Sequence, residues 1–447
     1  MSTLETVDDV HTGQAIAEST LRHVSGLRCR ACGHGQPATA THLCEDCFGP
    51  LEVTYDYDMI ARRVSRATIE AGPPTLWRYR DLLPVGDGEL VSLGEGFTPL
   101  IHARNLGAEL GLRNLHLKND SVNPTNSFKD RVVAVALNWA LQNGFRTIAC
   151  ASTGNLANSV AAYAARAGIR AVVFIPADLE PQKVAATAVF GASVVPIAGT
   201  YDDVNRLCVE LADDLDWGFC NINLRPYYSE GSKTLTFEAA EQLGWRLPDE
   251  IIIPVASGCQ FVKHRKAAAE LVNLGLVGER RLPRFTGAQA LGCGPVADAF
   301  ARGSDVVQPV RPDTIARSLA IGNPSDGADV LRIARRSGGV IAGVSEDEIL
   351  EGVDLLARTE GVFTETAGGV TVAVLRKLAA QRRWRGDETV VAYITGHGLK
   401  TPDAIGGRHP VDDPVAPQRR SVYRRLEELG VAGQGDSIPR GASPRAH

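Results

Sequence analysis

The strongest constraint on the fold lies in residues 147–215. Short apolar runs, TIACAS (147–152), IRAVVFIP (169–176) and SVVPIA (193–198), alternate there with helix-patterned segments. The helical segments are NLANSVAAYAARAG (155–168), EPQKVAATAVFGA (180–192) and DDVNRLCVELADDL (202–215). A run of four to eight apolar residues with no polar alternation fits a strand covered on both faces. Helices of ten or more residues between such strands are crossovers, which parallel pairing requires. The pattern resumes with EIIIPV (250–255), FVKHRKAAAELVNLG (261–275), FTGAQA (285–290) and ETVVAYIT (388–395). The chain is therefore expected to be α/β, with parallel sheets covered by helices.

The 447 residues suffice for two or three domains of ordinary size. Residues 1–25 read as a flexible tail, 26–57 as a small cysteine-bearing unit, and 58–402 as the main body. Residues 403–447, rich in Pro and Arg, read as a C-terminal tail with one short helical segment near VYRRLEELG. Net charge is −5 with no basic stripe, which argues against a nucleic-acid partner. The first residues are polar and acidic, and no run of about 18 apolar residues occurs, so neither signal peptide nor membrane span is expected. The expected location is the cytoplasm.

Nine cysteines divide into two groups. Cys29 and Cys32 in CRAC, with Cys44 and Cys47 in CEDC, form a doubled C-x2-C pattern. Four thiolates at this spacing suit a closed tetrahedral zinc site that is structural, with no open position for chemistry. Cys150, Cys208, Cys220, Cys259 and Cys293 stand among apolar neighbours and read as buried small hydrophobes.

Three loops rich in Gly, Ser, Thr and Asn each follow a strand: STGN (152–155), ASGCQ (256–260) and TGHG (395–398). In open parallel sheets ligands bind at the carboxyl ends of the strands. A helix N-terminus there presents unpaired N–H groups to an anion. The dinucleotide fingerprint, the P-loop, the nucleophile elbow and the H-E-x-x-H zinc motif are all absent. His397 reads as a loop residue. The segment NPTNSFKDR (123–131) places Lys129 where a helix-breaking run meets an apolar periodic segment. A desolvated lysine at such a place can form a Schiff base with an aldehyde such as pyridoxal phosphate; the alternative is an exposed lysine paired with Asp130.

NPTNSFKDR, CASTGNLANSVAAYAARAG, LRPYYSEGSKT, IGNP, EGVFTETAGGVTVAVL and TGHGLKTPDA together resemble the threonine synthases, in family order over about residues 26–405. That family belongs to the fold type II pyridoxal-phosphate enzymes of the tryptophan synthase β-subunit superfamily. The resemblance implies two parallel-sheet domains around a cofactor cleft, the smaller spanning about 138–235, with a zinc-ribbon-like unit ahead of them. It implies that Lys129 is the Schiff-base lysine, flanked by Phe128, and that Asn155 bonds the cofactor's 3-hydroxyl. Ala256, Ser257, Gly258, Cys259 and Gln260 would cradle the cofactor phosphate, and Thr395 would face the ring nitrogen. Ser152 and Thr153 would hold the substrate carboxylate. The implied reaction takes O-phospho-L-homoserine and water to L-threonine and phosphate, in a homodimer.

Two departures bear on the substrate. The phosphate loop reads PVASGCQ where the family more often has PVGNAGN. An arginine common in the family is replaced by Tyr228, with Arg225 three residues earlier as the candidate for the substrate's phosphate. A relative acting on O-phosphoserine, as cysteate synthase does, or a specialised-metabolism paralogue, is the alternative.

Overall fold

The computed structural model describes residues 21–431 apart from 153, 178–180, 200, 279–280 and 410–412. Thr153 and most of the N-terminal tail lie outside the described residues. The chain divides into a unit up to Pro402 and a second from Asp403, whose described part holds one helix, Arg419–Glu428.

Among the described residues, the first unit holds three sheets. β1 (Val24–Cys29), β2 (Gly35–Gln36) and β3 (Leu51–Tyr55) pair antiparallel in the order β2-β1-β3 and carry the four clustered cysteines. β4 (Leu100–His102), β5 (Asn114–Asn119), β10 (Glu250–Pro254), β11 (Arg284–Ala290), β12 (Ile341–Val344) and β13 (Thr389–Ile394) form a six-stranded sheet ordered β12-β11-β10-β13-β5-β4. Only the β4 edge is antiparallel. β6 (Thr147–Ala151), β7 (Arg170–Pro176), β8 (Ser193–Ile197) and β9 (Gly218–Phe219) form a parallel four-stranded sheet ordered β8-β7-β6-β9. The α/β expectation from strand and helix alternation holds. Every residue of β6 and of β10 is buried, as strands covered on both faces must be.

The Lys129–Gln142 helix ties the sheets together. It is buried from Asp130 to Ala140. Trp139 stacks on Tyr227 of the Arg225–Glu230 helix, ring centroids 3.9 Å apart. Close stacking of two large buried aromatics holds these helices against each other. Arg131, fully buried, donates to Asp120 at 2.6 and 2.8 Å and to Glu238 at 2.5 and 2.8 Å. Lys118 of β5 meets Glu238 at 2.6 Å. The lysine helix is thereby locked to the large sheet by ions, and to its neighbour helix by rings.

The cysteine sheet also docks through buried charge. Glu52 and Tyr55 of β3 reach Lys263 at 2.9 Å and Glu230 at 2.7 Å. Among the described residues, no helix is long and apolar enough to cross a membrane.

Candidate active site

Each functional loop lies at the carboxyl end of a strand, where the strand geometry runs out and backbone groups are left unpaired. Lys129 opens its helix directly from the 123–128 loop. This loop is held against the loop after β13. Ser127 and Gly396 form an antiparallel bridge, Phe128 N–H donates to the Thr395 carbonyl at 2.9 Å, and His397 N–H donates to the Asn126 carbonyl at 3.0 Å. Asn126 takes a φ of 62°, a left-handed turn that asparagine tolerates better than most residues.

Asp130 does not pair with Lys129. Its carboxylate accepts from Thr125 N–H and Oγ1 at 2.7 and 2.6 Å and from Ser159 at 2.7 Å. It is a buried brace for the loop, which leaves the lysine amine to the cleft. Lys129 Nζ donates to the Tyr228 hydroxyl at 3.0 Å and lies 4.6 Å from the Phe128 ring centroid. Desolvation pushes the amine below the ordinary lysine value, opposed by Cys259, Glu365 and Cys150. The amine is therefore neutral more often than a surface lysine, the state that both nucleophile and base require.

STGN opens the Asn155–Ala167 helix. Ser152 Oγ accepts the N–H groups of Gly154 and Ala157, both at 3.3 Å, so its own proton is available to an anion. Asn155 Nδ2 donates to both carboxylate oxygens of Glu365, at 3.2 and 3.0 Å. Glu365 is 2% exposed. Desolvation raises its carboxyl, opposed by the Asn155 bond, Lys400 and Lys129. Its N–H donates to the Gly396 carbonyl at 3.0 Å, and a Cβ on Gly396 would stand 2.4 Å from its Oε1. Gly396→Ala is expected to cost about 1–3 kcal/mol, as overpacking against a buried group does. Chemical denaturation measures it; an unchanged midpoint would refute the close approach.

ASGCQ opens the Cys259–Asn273 helix. Gly258, at φ 91°, leads into it and lets Val330 and Asp326 approach closely: an added Cβ would meet them at 2.7 and 3.0 Å. The N–H groups of Ser257, Gly258 and Gln260 have no partner among the described residues, which suits a phosphate. Thr395 is 3% exposed, and its hydroxyl bonds none of the described residues. An amine poised as nucleophile, an N–H cradle and a free neutral hydroxyl are what a phosphorylated pyridine aldehyde requires. The residues present fit it.

The structure thus sets Lys129 beside Phe128 and Tyr228, joins its loop to the loop of Thr395, and links Asn155 to that loop's Gly396 through Glu365, with Cys259 near enough to act on the lysine's charge. Arg225 stands differently: its guanidinium is bound to Ser325 and Asp326, each at 2.5 Å. Cys150, Cys208, Cys220 and Cys293 are buried, whereas Cys259, the first residue of the Cys259–Asn273 helix, is only half-buried. His397 accepts the Leu399 N–H at 3.1 Å, a local turn role. Sequence reasoning missed Glu365, Asp326 and Lys400. Glu365 offered one signal, a carboxylate directly before the small-residue start of the Thr366–Ala380 helix.

Cys29, Cys32, Cys44 and Cys47 bring their four Sγ atoms within 4.8 Å of one another. Cys29–Cys47 and Cys32–Cys44 stand at 3.5 and 3.6 Å. A tetrahedral site with Zn–S bonds of about 2.3 Å has edges of about 3.8 Å, so the set fits such an ion. The Ala31 and Cys32 N–H groups point at Cys29 Sγ, as donors to a thiolate do.

Comparison with known proteins agrees with this geometry. Residues 91–396 match the family model described as pyridoxal-phosphate dependent enzyme. The chain is 38% identical over 380 residues to a threonine synthase of Methanocaldococcus jannaschii, covering 84% of this chain and 93% of that one. It is 40% identical over 375 residues to a threonine synthase of Mycobacterium tuberculosis, covering 82% and 98%. Among solved structures, Escherichia coli diaminopropionate ammonia lyase superposes with a TM-score of 0.59 at 18% identity, over 72% of this chain and 91% of that one. Threonine deaminase isoform 2 of Solanum lycopersicum gives 0.56 at 20% identity, over 74% and 88%; at such identities these two speak to fold alone. The chain belongs to the pyridoxal-phosphate-dependent enzymes, and within them to the threonine synthase family.

Proposed function

We propose that this chain is a threonine synthase, converting O-phospho-L-homoserine and water to L-threonine and phosphate. The observation that carries the reading is identity of 38–40% to threonine synthases over more than four-fifths of the chain. The desolvated Lys129 amine, where the 123–128 loop meets the loop after β13, supports it.

Lys129 would anchor pyridoxal phosphate, with the 256–260 loop on its phosphate, Thr395 at its ring nitrogen and Asn155 at its ring hydroxyl. When bound, the cofactor supplies an electron sink for charge developing next to the substrate's amine-bearing carbon. The protein's own part is positioning and proton transfer. Ser152 and the positive end of the Asn155–Ala167 helix hold the substrate carboxylate. Lys129 Nζ, its pKa lowered by desolvation, takes the Cα proton and returns protons at neighbouring carbons. The Tyr228 hydroxyl, 3.0 Å away, keeps Nζ oriented in the cleft. Arg225 reads the substrate's phosphate.

Incubation of purified protein with O-phosphohomoserine and, in parallel, O-phosphoserine tests the reading, with phosphate and amino-acid product both measured. Threonine and phosphate in equal amounts from the first are expected. Turnover of O-phosphoserine alone would transfer the assignment to the phosphoserine-type reaction.

The reading includes a structural zinc in the four-cysteine unit and a cytoplasmic homodimer. About one zinc per chain is expected by metal analysis, and Cys44→Ser should lose it together with several degrees of thermal stability. Unchanged metal content in that variant would discard the site.

A further inference from the structure

Asp326 is 1% exposed yet carries two guanidinium groups. Its Oδ1 meets Arg30 and its Oδ2 meets Arg225. Arg30 comes from the cysteine hairpin, directly after Cys29, and its other nitrogen meets Asp329 at 2.5 Å. Asp329 also pairs with Arg332. Three arginines thus face two carboxylates, leaving one net positive charge. Asp326 N–H donates to the Ser257 carbonyl at 2.9 Å, which fastens the same residue to the phosphate loop. Arg225 lies one turn before Tyr228 on the Arg225–Glu230 helix, and Tyr228 touches Lys129. Residues three apart share a helix face, so Arg225 and Tyr228 look toward the same side.

A single acid gripping Arg225 would neutralise it and weaken its hold on an anion. The second guanidinium changes that balance. With Arg30 on the other oxygen, Asp326 orients Arg225 while its charge is shared, and Arg225 keeps attraction to spare. We infer that the cysteine hairpin is a working part of the anion site: Arg30, acting through Asp326, positions Arg225 for the substrate's phosphoryl group. This rests on the reading of Arg225 as the side chain that meets that phosphate. Arg30 is a positioning residue, since it touches neither cofactor nor substrate.

The test is a double-mutant cycle on the holoenzyme, read as the affinity for inorganic phosphate by calorimetry and as KM and kcat for O-phosphohomoserine. Arg30→Gln is expected to weaken phosphate binding and raise KM by about tenfold, with kcat within about twofold. Arg30→Lys should recover part of the loss, because one of the two contacts returns. In an Arg225→Gln background, Arg30→Gln should add nothing further. Equal effects of Arg30→Gln in both backgrounds would overturn the proposal, as would a lower melting temperature with unchanged phosphate affinity. A wild-type holoenzyme that binds no phosphate would overturn it too. Wild-type protein that binds phosphate, obeys the cycle and yet turns over no O-phosphohomoserine would sink the threonine synthase reading while leaving the arginine relay standing.

Discussion

Lys129→Ala is expected to abolish the visible absorbance of the bound cofactor and to lower turnover by about 10³-fold or more. Under the proposed roles, the covalent anchor and the proton carrier end together. Lys400 is the other lysine with electrostatic influence on Glu365, but its Nζ lies 3.4 Å from Asn158. The fold should survive. A lysine at the first turn of a helix opposes the helix dipole, so its removal costs little and relieves a small repulsion. A spectrum after cofactor addition and a thermal melt separate the two effects. An alanine variant that keeps the band and the rate would remove Lys129 from the chemistry.

Arg131→Met is expected to lower stability by about 3–5 kcal/mol, the cost of stranding buried partners of a broken ion network. Asp120 and Glu238 would lose two contacts each to a guanidinium that has no solvent contact. Burial alone would raise the Glu238 carboxyl, but Arg131 and Lys118 hold it down at about 2. A carboxyl depressed in the fold contributes stability above its unfolded value of about 4.5. That contribution is lost as pH falls toward about 2. The wild type should therefore lose stability across that window, and Arg131→Met should lose less, having already forfeited the interaction. Denaturant midpoints at about pH 7 and about pH 3 measure both. A loss below about 1 kcal/mol at neutral pH would mean that methionine packs well enough to offset the stranded charges.

Arg131 also shows what local sequence patterning conveys. The alternation of β6, β7 and β8 with their helices was legible because apolar runs and helical periods are local properties. The three loops were legible for the same reason: Gly, Ser, Thr and Asn mark turns wherever they occur. Buried charges leave no such mark. Arg131, Lys118 and Lys233 are fully buried, although these residue types are normally solvated, and their partners lie up to 151 residues away. Glu365 and Asp326 escaped notice on the same ground, since each matters through a contact across the fold. The likeness to a family supplied the roles of Lys129 and of the loops, which the residues had already marked out. It said nothing of the hairpin arginine, which only the folded chain sets beside Asp326.

The order of the large sheet has a consequence for how the protein is made. β13 is the last strand among the described residues, yet it lies in the middle of that sheet, between β5 and β10. While the chain is being synthesised, β5 and β10 wait with an open gap between them, and each offers an unpaired edge. Such edges invite wrong partners until the final strand arrives. Translation that stops before Thr389 would release a protein whose main sheet lies in two pieces, and the lysine loop would have nothing to lean on.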